Sequence, residues 1–194
     1  MFSPLPHTTR RAPLHDTFDR LSPAWSTLRT PRTLFWTVGA GLRLRLRPER
    51  LGEPVNPSLL VRPQEDLACE VFTELDFTPA GAHEHAGLAV VLDDNAHLLL
   101  VRTVYGLAVL QGAAVLATEV VPAGPVRLGV RIRGFTHTFG YATGSGQWHD
   151  LVTMDATFLR PLFTGVQVGL YAGSNGQPSD NEALFTRFDY LPHT

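Results

Sequence analysis

Lysine is absent from the 194 residues, so all sixteen basic side chains are arginine. That removes lysine Schiff bases, a P-loop lysine and a catalytic lysine from consideration. Cysteine occurs once, at Cys69, which excludes an internal disulfide and a zinc framework built on several thiolates. The fold therefore stands on packing alone. Long apolar runs are missing too, since stretches such as Leu88 to Leu92 are far too short to cross a bilayer. The first thirteen residues are rich in proline and arginine and lack the apolar run of a signal peptide. The expectation is a soluble, cytoplasmic protein with a frayed tail over 1–13 and one domain over 14–194. Excess charge of one sign is also lacking: sixteen basic against eighteen acidic residues give a net charge of -2. This removes the bulk electrostatic reason to expect nucleic acid or an anionic membrane as partner.

What the chain does have is punctuation. Seventeen glycines and fifteen prolines separate short apolar stretches at fairly even spacing, which predicts an all-β chain. In Gly41 to Arg47, Leu42, Leu44 and Leu46 alternate with Arg43, Arg45 and Arg47, so one face is buried and the other wet. Val126 to Arg133 repeats the pattern. Cys69 to Phe77 sets Cys69, Val71, Thr73, Leu75 and Phe77 on one face and Glu70, Phe72, Glu74 and Asp76 on the other. Further strands are predicted over 34–37, 58–62, 86–92, 97–103, 114–121, 136–141, 163–171 and 185–190. More than ten short strands without a sustained helical period imply two antiparallel sheets packed face to face, a jelly-roll β-sandwich.

The strings Asp16-Thr-Phe-Asp19, Pro23-Ala-Trp25, Leu28-Arg-Thr-Pro31, Asn56-Pro-Ser-Leu-Leu60, Glu74-Leu-Asp-Phe77, Asp93-Asp-Asn95, Met154-Asp-Ala-Thr-Phe158, Val168-Gly-Leu-Tyr171 and Phe188-Asp-Tyr190 occur in this order. Over residues 14 to 192 the chain resembles the C-terminal sandwich of family-43 β-xylosidases. The resemblance implies a concanavalin A-like β-sandwich, normally joined to a catalytic five-bladed propeller that carries the acid, base and pKa-tuning carboxylates. No propeller fits beside a sandwich in 194 residues, so what transfers is a fold and a glycan context rather than an active site. In the family a loop of this sandwich inserts an aromatic side chain at the edge of the propeller's pocket. The matching stretch is Leu162-Phe163-Thr164-Gly165, which marks Phe163. The preceding Leu159-Arg160-Pro161-Leu162 is shorter and less glycine-rich than the family's loop, and Arg62-Pro63-Gln64 replaces an Arg-Arg-Gln-like string.

The resemblance implies a non-catalytic accessory or carbohydrate-binding domain whose partner is a xylo-oligosaccharide or a separately encoded glycosidase propeller, with Phe163 as binding candidate; Tyr105, beside a glycine turn, and Arg62 are the further binding candidates. The alternative is a small sandwich glycoside hydrolase, with Glu74 and Asp76 as its carboxylate pair on the Cys69–Phe77 strand; the arginine rows opposite also offer these acids ordinary cross-strand partners. A third reading is a degenerate interaction module. Arg43, Arg45 and Arg47 with Arg127, Arg131 and Arg133 form either a uronate-binding face or a solvated one. Trp25, Trp36, Trp148, Tyr141 and Tyr171 are stacking platforms or core. His83-Glu84-His85 has a metal-compatible spacing in a polar loop. No cofactor is expected beyond a structural Ca²⁺, for which Asp16 and Asp189, with Asp19, are the candidates on pairing terminal strands. Cys69 shares the parity of Val71 and Leu75 and reads as a buried small hydrophobe.

Overall fold

The computed structural model describes residues 11–144, 146–160 and 165–193. Fourteen strands run in chain order: β1 Leu14–Asp16, β2 Trp36–Gly39, β3 Gly41–Arg45, β4 Ser58–Pro63, β5 Ala68–Asp76, β6 His85–Val91, β7 His97–Thr103, β8 Gly106–Gln111, β9 Ala114–Glu119, β10 Val126–Arg133, β11 Thr136–Thr143, β12 His149–Asp155, β13 Gln167–Gly173 and β14 Glu182–Pro192. They make two antiparallel sheets, one of eight strands ordered β12-β11-β10-β5-β14-β3-β2 with β1 also on β14, and one of six ordered β4-β13-β6-β7-β8-β9. This is the concanavalin A-like sandwich.

The alternation read in β3, β5 and β10 places Leu42, Leu44, Cys69, Val71, Leu75, Leu128 and Ile132 in the core between the sheets, with Leu88, Leu100, Val168 and Leu170 from the six-stranded sheet. Burial pushes the Cys69 thiol up to about 11, which keeps it protonated and inert. Strands β6 and β7 are buried on both faces, because Leu59, Val61, Ala89, Val91, Leu99, Val101 and Tyr171 form a second cluster on the outer face of the six-stranded sheet, packed under Leu28 and Leu51. Arg29 holds this cover down through Val55 O at 2.7 Å and through the Asp94 carboxylate. Among the described residues the outer face of the eight-stranded sheet has no such cover.

The expected pairing of the terminal strands is β1 on β14, while two strands escape the sequence pattern: β8 follows a two-residue turn from β7, and β12 is an edge strand with mixed exposure. The strand predicted over 163–171 begins at Gln167, with 161–164 outside the described residues. Pro63 is accommodated because β4 is a sheet edge, where its missing N–H breaks no ladder.

Candidate functional site

One end of the sandwich is built by the turn after β4. Tyr190 enters from β14, and its hydroxyl accepts from the Glu65 and Asp66 amides, each at 3.0 Å, while donating to Asp66 Oδ2 at 3.0 Å. With the turn so fixed, Leu67 projects outward and is 82% exposed. The Gly134 amide donates to Leu67 O at 2.7 Å, and the Ala156 amide to Phe135 O at 2.7 Å, so Leu67, Phe135 (42% exposed) and the 3₁₀ turn Thr157–Leu159 lie side by side. Asp155 Oδ1 stabilises that turn by accepting from the Thr157 amide at 2.7 Å, and Phe158 stays exposed. Between them is a pocket of about 440 Å³ lined by Gln64, Leu67, Phe135, His137, Leu159 and Val166. His137 is buried, and burial lowers its pKa to about 4, so the imidazole is neutral.

Arg62 belongs to this end as well, since it pairs with Val168 near the start of β13. It shares the parity of Ser58 and Leu60 and therefore points inward. It is 9% exposed and sits 5.8 Å from the Trp25 ring centroid, with no hydrogen-bond partner for Nε or Nη1 among the described residues. Burial lowers its pKa, against the pull of Glu65 and Asp16. Trp25 is thereby core, donating from Nε1 to Asp16 at 2.9 Å.

Of the three binding candidates, the two within the described residues, Arg62 and Tyr105, lie at opposite ends of the six-stranded sheet. Phe163 lies outside the described residues; the chain is described again from Gly165, and Val166 O accepts from the Gln64 amide at 2.9 Å. Tyr105, 77% exposed, caps the β7–β8 turn at the opposite end of the six-stranded sheet, because Gln167 pairs with Val91 and Val91 with His97, six residues before Thr103.

Glu74 and Asp76 are exposed on the outer face of the eight-stranded sheet, and the hydrogen bond recorded for them is from Thr186 Oγ1 to Glu74 at 3.3 Å. The registers set Arg127 opposite Glu74 and Arg131 opposite Glu70. The ion pairs nevertheless form elsewhere, Arg131 with Asp150 and Arg127 with Asp189 at 4.0 Å, which corrects the expected cross-strand partners. Asp189 is 3% exposed and is also held by His15 Nδ1 at 2.6 Å and Arg187 Nε at 2.8 Å. The two candidate Ca²⁺ ligands are separated by the pleat: Asp16 pairs with Phe188 and faces Trp25, whereas Asp189 pairs with His15 and faces outward. Asp16 Oδ1 already accepts from the Phe18 amide at 2.9 Å, and Asp19 lies beyond the end of β1. In His83-Glu84-His85, Glu84 turns inward and accepts from Ala80 N at 2.7 Å, Ser179 Oγ at 2.6 Å and Asn181 Nδ2 at 2.8 Å, while His85 contacts the Tyr171 hydroxyl at 3.2 Å. Among the described residues no three His, Cys, Asp or Glu side chains gather in a metal-holding group.

Sequence reading missed Leu67 and Phe135, whose exposure in turns is invisible to strand parity. It also missed the meaning of Gly129 and Gly140, two outward-facing glycines inside strands, a pattern that marks close approach of another group.

Comparison with known proteins gives a consistent result. Residues 15–191 match the family model described as the β-xylosidase C-terminal concanavalin A-like domain. A non-reducing end α-L-arabinofuranosidase of Bacteroides ovatus is 30% identical over 212 residues, covering 98% of this chain and 39% of that protein. A xylosidase/arabinosidase of Butyrivibrio fibrisolvens is 29% identical over 171 residues, covering 76% and 31%. Among solved structures, a xylan β-1,4-xylosidase from Bacillus halodurans superposes with a TM-score of 0.83 at 27% identity, covering 95% of this chain and 40% of that one. The chain thus spans about two fifths or less of each of these proteins.

Proposed function

The chain belongs to the β-xylosidase C-terminal concanavalin A-like domain family, and from that premise we propose that it is a non-catalytic accessory domain that packs its Leu67–Phe135 end against a glycosidase propeller lying outside these residues. The observation that carries the reading is the apolar end itself. Leu67 and Phe135 are exposed together on the lining of a pocket of about 440 Å³, whose wall also includes Arg160 and Gly165 on either side of the stretch in which the family places its inserted aromatic. Exposed large apolar side chains gathered at one place favour a protein partner. The family resemblance assigns Phe163 the role of the aromatic inserted at the edge of the propeller's pocket.

The relatives act on arabinofuranosides and xylosides by their names, so the substrate class of the assembly is xylan or arabinoxylan oligosaccharide. The test is complementation. A family-43 propeller from the same genome, freed of any sandwich, is assayed on an aryl xyloside and an aryl arabinofuranoside with and without this chain. A saturable gain in kcat/KM that Phe163→Ala reduces is expected, together with no turnover by this chain alone. Turnover by the chain alone that Glu74→Gln abolishes makes it a sandwich hydrolase instead.

A further inference from the structure

Across the outer face of the eight-stranded sheet one row runs Gly140, Gly129, Phe72, Asp189 and His15, each directly opposite the next on neighbouring strands. Two adjacent glycines leave a depression on the sheet, and the Trp148 indole occupies it. A Cβ at Gly129 would lie 2.7 Å from Trp148 Cη2, and one at Gly140 would lie 2.8 Å from both Cζ2 and Nε1. The Phe72 ring meets the indole edge-on, with centroids 5.2 Å apart at 90°, and the Arg127 guanidinium lies 4.5 Å from the Phe72 centroid. Trp148 Nε1 donates to Asp150 at 2.8 Å, which fixes the ring and satisfies its one polar atom. The ring is half-buried and so keeps part of its surface open. Beyond Arg127 the face continues into a pocket of about 510 Å³ lined by Glu74, Asp76, Ala142 and Thr186.

We infer that this row is a binding platform for a neutral pyranose glycan, with Trp148 as the stacking surface and Arg127, Glu74 and Thr186 as its hydrogen-bonding rim. The chemistry selects the ligand. The face carries Arg43, Arg45, Arg127, Arg131, Arg133 and Arg187 against Glu70, Glu74, Asp76, Asp150, Glu182 and Asp189, a balance that offers a polyanion no counterion-release gain. No strongly exposed large apolar side chain lies on β5, β10, β11, β12 or β14, which leaves little for a protein partner to bury. A sugar ring matches both parts: its C–H face suits an indole, and its hydroxyls donate to fixed carboxylates and accept from a fixed guanidinium. The opposite sheet offers no equivalent, because its outer face is roofed by the chain around Leu28 and Leu51. The choice of xylan as the glycan rests on the functional reading above; the platform rests on the row.

The experiment is affinity electrophoresis and calorimetry of the full chain with unsubstituted xylohexaose and soluble xylan, with polygalacturonate as the charged control. Saturable binding of the neutral glycan is expected, about tenfold weaker in Trp148→Ala, weakened several-fold in Glu74→Gln, and unchanged in Leu67→Asp. If Trp148→Ala loses its near-ultraviolet dichroism, Glu74→Gln and Arg127→Met decide. Flat heats with every neutral glycan, binding that survives the rim variants, or preference for polygalacturonate overturns the platform. None of these touches the docking reading, which depends on the other end of the domain and fails only if the propeller is not bound.

Discussion

Asp189 lies directly opposite Phe72 across β14 and β5, so the carboxylate that gathers His15, Arg187 and Arg127 also abuts the aromatic edge of the outer face. The buried acid and its exposed partners thereby tie β1, β10 and β14 together. Asp189→Ala is expected to destabilise the fold by roughly 1–3 kcal/mol, below the cost of breaking a fully buried pair because its exposed partners can rehydrate. A lower urea midpoint with an unchanged slope checks this.

Two buried histidines make stability pH-dependent. Burial lowers His85 and His137 to about 4, from an ordinary 6.5. Between those values the unfolded chain binds more protons than the folded one, so stability is full above pH 6.5, falls as the pH drops and levels off below about 4. The loss is on the order of 3 kcal/mol per histidine. Glu84 adds to it: burial alone would raise this carboxyl, but hydrogen bonds from Ser179, Ala80 and Asn181 outweigh burial and hold it below its usual range, so its contribution is lost as it protonates. Melting curves from pH 8 to 4 should show a decline that is shallower in His137→Leu; equal slopes contradict the assignment.

Gly169 on β13 is required by a close backbone approach. A Cβ there would lie 2.1 Å from Leu60 O and 2.9 Å from Val61 Cα, backbone atoms of β4 that cannot yield without losing the pairing. Gly169→Ala should cost on the order of 2–4 kcal/mol, whereas Gly112→Ala, with nothing within 4 Å but a φ of +56°, should cost about 1 kcal/mol. Chemical denaturation of the two variants side by side tests the ranking.

Tyr105 is the control. It is highly exposed at the end of the six-stranded sheet away from Leu67 and Phe135, so Tyr105→Ala should leave stability within about 0.5 kcal/mol and leave propeller binding unchanged. A loss of binding comparable with Phe135→Asp would move the docking surface to the wrong end.

The period-2 strands β3, β5 and β10 were legible because each buries one face only, and the family strings extended that reading to the whole sandwich. Strand parity could not show which acid an arginine chooses. Arg127 and Arg131 sit opposite Glu74 and Glu70 in register, yet reach Asp189 and Asp150 on other strands. Nor could it orient Arg62, because β4 is buried on both faces and its alternation does not say which side meets the inter-sheet core. Tyr105 and Arg62 were credible binders one at a time; that they lie at opposite ends is a property of the β13–β6–β7 register, which no local pattern encodes.

The most direct measurement is calorimetric titration of this chain into a family-43 propeller from the same genome, with the wild type beside Leu67→Asp and Phe135→Asp. The account predicts a one-to-one complex that either charge substitution weakens at least about tenfold, since each buries a carboxylate in an apolar contact, while Trp148→Ala binds like the wild type. Absence of association, or association indifferent to both end substitutions, contradicts it.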